Sequence, residues 1–474
     1  MRPAAARAAL LALAMTLLAG AHGAVLVLRP PWIHELEGWF WRFEEKPLAH
    51  RALLALPAAL ASAILLSGSG RRRSRGCTLV LVAALAFANQ IVFALMEGRG
   101  LQALQDRMIT TGHAAFAEAA LRREGLIETA RGYEGIAEDF LDTKPPGTLL
   151  VYMATKEASR LLDAAGPGLA PRDRLTIFAS LAWPLMACGV LLLLPPLGRG
   201  LGARAAGLHG AALAAAAPNV ALITLHLDQC LYPALAAACL LALIRAHDAS
   251  SGPAALTAGA AFYAALFATF SILPLLAVMI AYTVLAPAGG PRAPARDPIL
   301  RWAAPRLQTW ALFGLGALLA AVPLRALLDY DVLHRYAKAM AAHAAWRPVT
   351  WDLPNSIHYG GLTLLEFSLW TGPPLMLLFL ARAVRAARRI HGRRRRRADA
   401  FALALLASLL LMAFLGRTVC ESGRLWIFMV PPIAVAGSQE LIAAGRRRSG
   451  ALLGLALALQ LALTYLTKRH QDFW

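Results

Sequence analysis

Apolar runs of about 17 to 25 residues recur along nearly the whole chain, each long enough for a helix to cross roughly 30 Å of hydrocarbon. Backbone groups in lipid must be satisfied within the segment, and the alternation that barrel strands require is absent, so the runs predict helices. They fall at 1–28, 51–68, 77–96, 174–195, 205–222, 229–246, 254–269, 271–287, 309–327, 361–381, 399–415, 424–440 and 450–467. The expectation is an all-α, polytopic transmembrane bundle of about thirteen spans, forming one integral-membrane domain over residues 1–474.

Two polar interruptions are long enough to carry structure of their own, residues 98–163 and 329–360. Within the first, Ala114 to Arg123 and residues 147 to 163 read as short amphipathic helices. They belong on the membrane interface rather than through it, because a charge at the bilayer centre costs about 2.5 to 3.5 kcal/mol. Residues 29–50, rich in Trp and Glu, have the composition of an interfacial belt. Residues 1–28 include AGAHGA, which a signal peptidase could cut, but the apolar run continues through VLVL, as a first helix would.

Composition sharpens this picture. With 58% hydrophobic and 16% charged residues, the chain is far more apolar than a soluble domain. Its net charge of +20 is concentrated in short blocks between apolar runs, Arg71 to Arg75, Arg382 to Arg397 and Arg446 to Arg448. That is the positive-inside pattern; it puts the N-terminus and these blocks in the cytoplasm and the loops at 98–163, 223–228 and 329–360 outside. The blocks lack interleaved aromatics and any nucleic-acid module, which excludes nucleic acid as a partner; anionic lipid head groups are the secondary reading. Five scattered cysteines, Cys77, Cys188, Cys230, Cys239 and Cys420, show no disulfide or metal framework. Asn89 and Gln90, deep in a run, read as packing contacts between helices. There is no phosphate-binding glycine loop of an ATP-driven pump and no inverted repeat of a secondary transporter.

The candidate chemistry lies in the outside loops, which mix acids, histidines, lysine and aromatics while the cytoplasmic charges are nearly all arginine. The acids nearest the membrane are Glu97, Asp106, Asp139, Asp142, Asp228 and Glu421. A carboxylate partly shielded there can act as a general base toward a hydroxyl. Lys144-Pro145-Pro146 fixes a lysine at a helix entrance, where its ammonium could hold a phosphate or simply snorkel. Glu421 and Arg424, three apart, read first as an internal ion pair, with a phosphate contact for Arg424 as the alternative. His113 follows a turn-like Thr-Gly pair, and His226 shares a short loop with Asp228. No metal-ligand spacing occurs.

The acid-bearing first loop, KPP opening an interfacial helix, RDRL opening a span that exits at LGRGLGARAAG, and PNVALITLHLDQCLYPALAAACLLALIRA resemble, in that order, the integral-membrane glycosyltransferases of the GT-C superfamily. These include the protein O-mannosyltransferase and lipid A aminoarabinose transferase families. The resemblance covers roughly residues 77 to 290. It implies inverting transfer of a sugar from a polyprenyl-phosphate donor to a glycan, lipid or protein acceptor at the outer face of the cytoplasmic membrane. By position it implies Asp106 as catalytic base, with Glu97 as the second candidate, and Lys144 at the donor phosphate. Asp228 would orient the acceptor or hold a divalent metal if one is used, and His113, His226, Arg424 and Glu421 would lie along the substrate path. The chain departs from the family pattern in having two spans before the acid, Arg107 directly after Asp106, and only Tyr152 where aromatics commonly follow KPP. A lipid-linked glycan flippase or transporter, and an inactive GT-C-like subunit, are the alternatives.

Overall fold

The computed structural model describes residues 3–33, 35–39, 41–69, 75–109, 112–136, 140–164, 168–223, 227–249, 251–287, 298–346, 352–391, 396–415 and 421–472. Apart from one short strand pair, Arg42–Phe43 with Gln471–Asp472, the regular structure among these is helical. The first helices are α1 (Pro3–Leu28), α2 (Ala55–Ser69) and α3 (Arg75–Leu95). A set of short helices follows, α4 (Gln102–Ile109), α5 (Ala114–Arg122), α6 (Leu126–Arg131) and α7 (Pro146–Ser159). Next come α8 (Pro171–Ala187), α9 (Gly189–Gly200), α10 (Arg204–Ala215), α11 (Pro218–Leu222), α12 (Leu227–Ala249), α13 (Gly252–Ala268) and α14 (Leu275–Leu285). The remainder are α15 (Pro298–Leu328), α16 (Val332–Trp346), α17 (Leu353–Thr371), α18 (Pro373–His391), α19 (Arg397–Leu415), α20 (Ser422–Leu425), α21 (Val430–Ala443) and α22 (Arg446–His470).

The chain is a multi-pass membrane protein, but the expectation of about thirteen spans does not hold. Among the described residues, seven helices are long and apolar enough to cross a membrane, or eight if the bent pair α17 and α18 counts as one span. Apolar content alone set the larger number; continuity of the helix removes several candidates. The helices at Arg51–Ser67, Gly252–Ala268, Phe270–Leu285 and Ile427–Ala443 are shorter than the about 20 residues a span needs. The run at 205–222 is cut between α10, which ends at Ala215, and α11, which Pro218 opens with Ala217 extended before it. The run at 361–381 turns by 115° at Gly372, whose φ of 93° ends α17 before Pro373 opens α18.

Close backbone approach at glycine locks several of these helices together. A β-carbon at Gly259 of α13 would run into the Phe313 carbonyl of α15, and one at Gly316 into the Leu256 carbonyl opposite. Gly210 of α10 meets Val435 of α21 in the same way. Asn89 and Gln90 are packing residues, donating to the carbonyls of Ala215 at 2.9 Å and of Pro184 at 3.4 Å. Residues 29–50 are drawn into the fold: Trp41 is buried against Trp370 with ring centroids 4.6 Å apart and donates to Glu366 at 2.8 Å.

These contacts define two ends of the bundle. At one, the last turn of α1 meets that of α22 through Arg29 and His470, 3.1 Å apart, and the short helices α4 to α7 pack. At the other, Arg7 of α1 pairs with Glu440 of α21, and α18, α19 and α10 bring their arginines together.

Candidate functional site

The expected site lies in the layer α4 to α7, which packs as a unit with its own core. Met108, Phe116, Tyr133, Leu149, Tyr152 and Trp183 are buried in one cluster. Lys156 is buried and donates from Nζ to the Arg123 carbonyl at 2.6 Å, closing the end of α5.

At the edge of this layer, beyond the end of α3, the structure brings Glu97 and Asp106 together through one guanidinium. Arg99 donates to Asp106 Oδ2 at 2.5 Å and to Glu97 Oε2 at 3.1 Å. Asp106 also accepts from Gln102 Nε2 at 2.8 Å, one helical turn earlier, and stays partly exposed. Glu97 is more enclosed: its Oε1 is paired with both Arg107 and Lys468, whose side chains are 7% and 1% exposed. Burial disfavours the charge on Glu97, but Arg107 and Lys468, with Arg99 behind them, outweigh it and hold the carboxyl at about 2. A carboxylate that acidic is a weak proton acceptor at neutral pH.

A second group forms around the Pro-Pro helix entrance. Pro145 caps α7 in an extended conformation and Pro146 occupies its first turn, where a missing donor is harmless. Lys144 is buried, with its ammonium 5.8 Å from the centre of the Phe140 ring. His113 lies edge-on to the same ring at 5.0 Å, so Lys144 and His113 meet at Phe140. From there Phe116 stacks on Tyr152 at 5.7 Å, and Tyr152 meets Trp183 at 4.8 Å. Phe140, Phe116 and Trp183 thus reach Tyr152 from other segments as one run of aromatic contacts.

The second long loop clamps this entrance. Arg335 of α16 has a fully buried side chain and donates to Asp142 Oδ1 at 2.8 Å, to the Asp142 carbonyl at 2.5 Å and to Glu134 at 3.2 Å. The Tyr133 hydroxyl, its pKa pushed up by burial, donates to the Leu141 carbonyl at 2.9 Å and the Lys144 carbonyl at 3.3 Å. Asp142, one of the acids read as nearest the membrane, therefore holds two loops together.

Glu421 and Arg424 form the internal ion pair their spacing suggests, 2.9 Å apart and part-buried. Beside them is a carboxylate that inspection of the loops misses. Glu366 of α17 is buried and accepts from Trp41 Nε1, from Ser422 N and Oγ at 3.1 and 2.9 Å, and from Gly423 N at 3.1 Å. Its signal in sequence is a lone acid in an apolar run, LTLLEFSLW, which demands a partner. Lys468 and Arg335 were equally legible as charges but not as partners, since theirs lie far away in sequence. His226 and Asp139 lie outside the described residues; Asp228 is in the first turn of α12, its side chain outside the described set. Among the described residues, no group of His, Cys, Asp and Glu is placed to hold a metal ion.

Together, fold and site define a multi-pass helical membrane protein carrying a packed polar layer at one end. No protein-family model matches the chain, and no curated protein matches it in sequence.

Proposed function

We propose that the chain is a membrane glycosyltransferase of the GT-C type, moving a sugar from a polyprenyl-phosphate donor to an acceptor hydroxyl. The observation that supports this reading is one packed layer holding both a partly exposed carboxylate, Asp106, and a lysine fixed by a Pro-Pro helix entrance, Lys144. Described arginines of α10 and α18, with Arg396, gather at the opposite end, and by the positive-inside pattern this layer faces the outside of a cytoplasmic membrane and the N-terminus lies inside. Asp106 takes the acceptor proton as the hydroxyl oxygen attacks the anomeric carbon, and the polyprenyl phosphate leaves with the electrons of the broken bond. Inversion follows from this single displacement. Lys144 stabilises the departing phosphate, and Arg99, half exposed and bridging both acids, can turn to the donor phosphate and release Asp106.

A second reading, a non-catalytic relative serving as a subunit, is favoured by the arginine and lysine partners that already occupy Glu97 and Asp106. Purified protein in liposomes with undecaprenyl-phosphate sugars and a membrane-extract acceptor separates the two. The transferase reading expects a product of inverted anomeric configuration, reduced about 10²- to 10⁴-fold in Asp106→Asn with folding intact. No product, or an Asp106→Asn rate equal to wild type, overturns it; movement of intact lipid-linked sugar across the bilayer without transfer would establish a flippase instead.

A further inference from the structure

The opposite end of the bundle holds a cavity of 410 Å³ that the transferase reading does not use. It is lined by Arg382, Arg385 and Arg389 of α18, whose spacing puts them on one helix face, by Arg396 ahead of α19, and by Arg204 opening α10. One lining carboxylate, Glu440, opposes these five guanidiniums.

The arginines divide into two kinds. Arg382 is buried and fixed, donating from Nε to Gln439 Oε1 at 2.9 Å and from Nη2 to Asp399 at 2.5 Å. Arg385 pairs with Glu440 at 2.9 Å, and Arg389 lies 3.4 Å from Asp399. Arg204 and Arg396 are exposed at the rim, and among the described residues no carboxylate pairs with either. The first turns of α10 and α19 add the partial positive charge of helix N-termini. Inside, Gln439 Nε2 is a buried donor and Glu440 Oε1 a buried acceptor, both without a hydrogen-bond partner.

We propose that this cavity binds a phosphate group. A phosphate satisfies the lining: its charged oxygens take the forked guanidinium donors and the Gln439 amide, and Glu440 Oε1 can accept from the P–OH of a monoester or from a hydroxyl of a glycerol head group. Arginine-rich ends of multi-pass proteins face the cytoplasm. The phosphate can therefore come from an anionic lipid of that leaflet or from a soluble phosphorylated compound, and the chemistry recognised is the same.

The test uses the purified full-length protein in neutral detergent. One arm adds pyrophosphate and follows thermal stability and calorimetric binding; the other adds phosphatidylglycerol, with phosphatidylcholine as control, and counts retained lipid by native mass spectrometry. Saturable binding in the first arm identifies a soluble ligand and selective retention in the second a lipid. In either case the Arg204→Ala, Arg396→Ala double variant, which leaves the buried pairs intact, should weaken binding about tenfold or more. Arg172→Ala, at the start of α8 and away from the cavity, should not change it. If wild type binds neither probe below about 1 mM, or the double variant binds as wild type does, the site is not a phosphate site.

Discussion

Replacing Glu97 with Gln removes the anion that separates Arg107 from Lys468. Both cations stay buried, 7% and 1% exposed, and are left facing each other without neutralisation. The shift of the Glu97 carboxyl from 4.5 to about 2 corresponds to roughly 3 kcal/mol at 1.36 kcal/mol per unit. Breaking a buried pair by removing one partner costs about 3 to 5 kcal/mol, which agrees. Arg99, half exposed, adds little to this sum. A chain of this length shifts its Tm by roughly 1 to 2 °C per kcal/mol, so Glu97→Gln should lower the apparent Tm in detergent by about 3 to 10 °C. The pH dependence follows from the sign of the shift. A carboxyl depressed on folding stabilises the protein fully above about 4.5 and loses that contribution as pH falls toward about 2. The gap between wild type and Glu97→Gln should therefore narrow as pH falls below about 5. Adding Lys468→Met to Glu97→Gln should recover part of the loss, with a coupling of about 1 kcal/mol or more. An unshifted Tm in Glu97→Gln, or purely additive effects in the double variant, would refute the view that these groups form one buried network.

Other perturbations probe separate joints. Arg335→Leu should release the α16 clamp and raise hydrogen exchange in residues 112–136 and 140–146, with a stability loss of about 2 to 4 kcal/mol; unchanged exchange there would show that the loops dock without it. Glu366→Gln turns one acceptor oxygen into a donor facing groups that already donate, Ser422 N and Oγ at Oε2 or Trp41 Nε1 and Gly423 N at Oε1, and should cost about 1 to 3 kcal/mol, read as a lower detergent Tm. Gly259→Ala should abolish folded protein on size-exclusion chromatography, because the Phe313 carbonyl leaves no room for a β-carbon; wild-type yield would show that α13 and α15 can part. Asp399→Asn should destabilise by about 3 kcal/mol by leaving Arg382 buried beside a neutral amide, measured as a shorter half-life at elevated temperature.

Membrane character, helical class and the two polar interruptions followed from residue type alone, because burying apolar side chains in lipid and satisfying the backbone within each segment are local requirements. The entrance at Lys144-Pro145-Pro146 was legible for the same reason: Pro fixes its own φ wherever it stands. The number of spans was not, since hydropathy sums side chains and is blind to whether the backbone continues as one helix past Pro218 or Gly372.

Site chemistry divides along the same line. The sequence by itself determined which residues carry charge, that Glu421 and Arg424 can pair three residues apart, and that the arginines cluster in short blocks between apolar runs. Only the tertiary structure decided the partners: Glu97 with Lys468, Asp142 with Arg335, Glu366 with Ser422, and five arginines around one cavity. Those pairings join segments up to 371 positions apart. Electrostatic energy depends on distance and local dielectric, and neither is a property of the chain until it has folded.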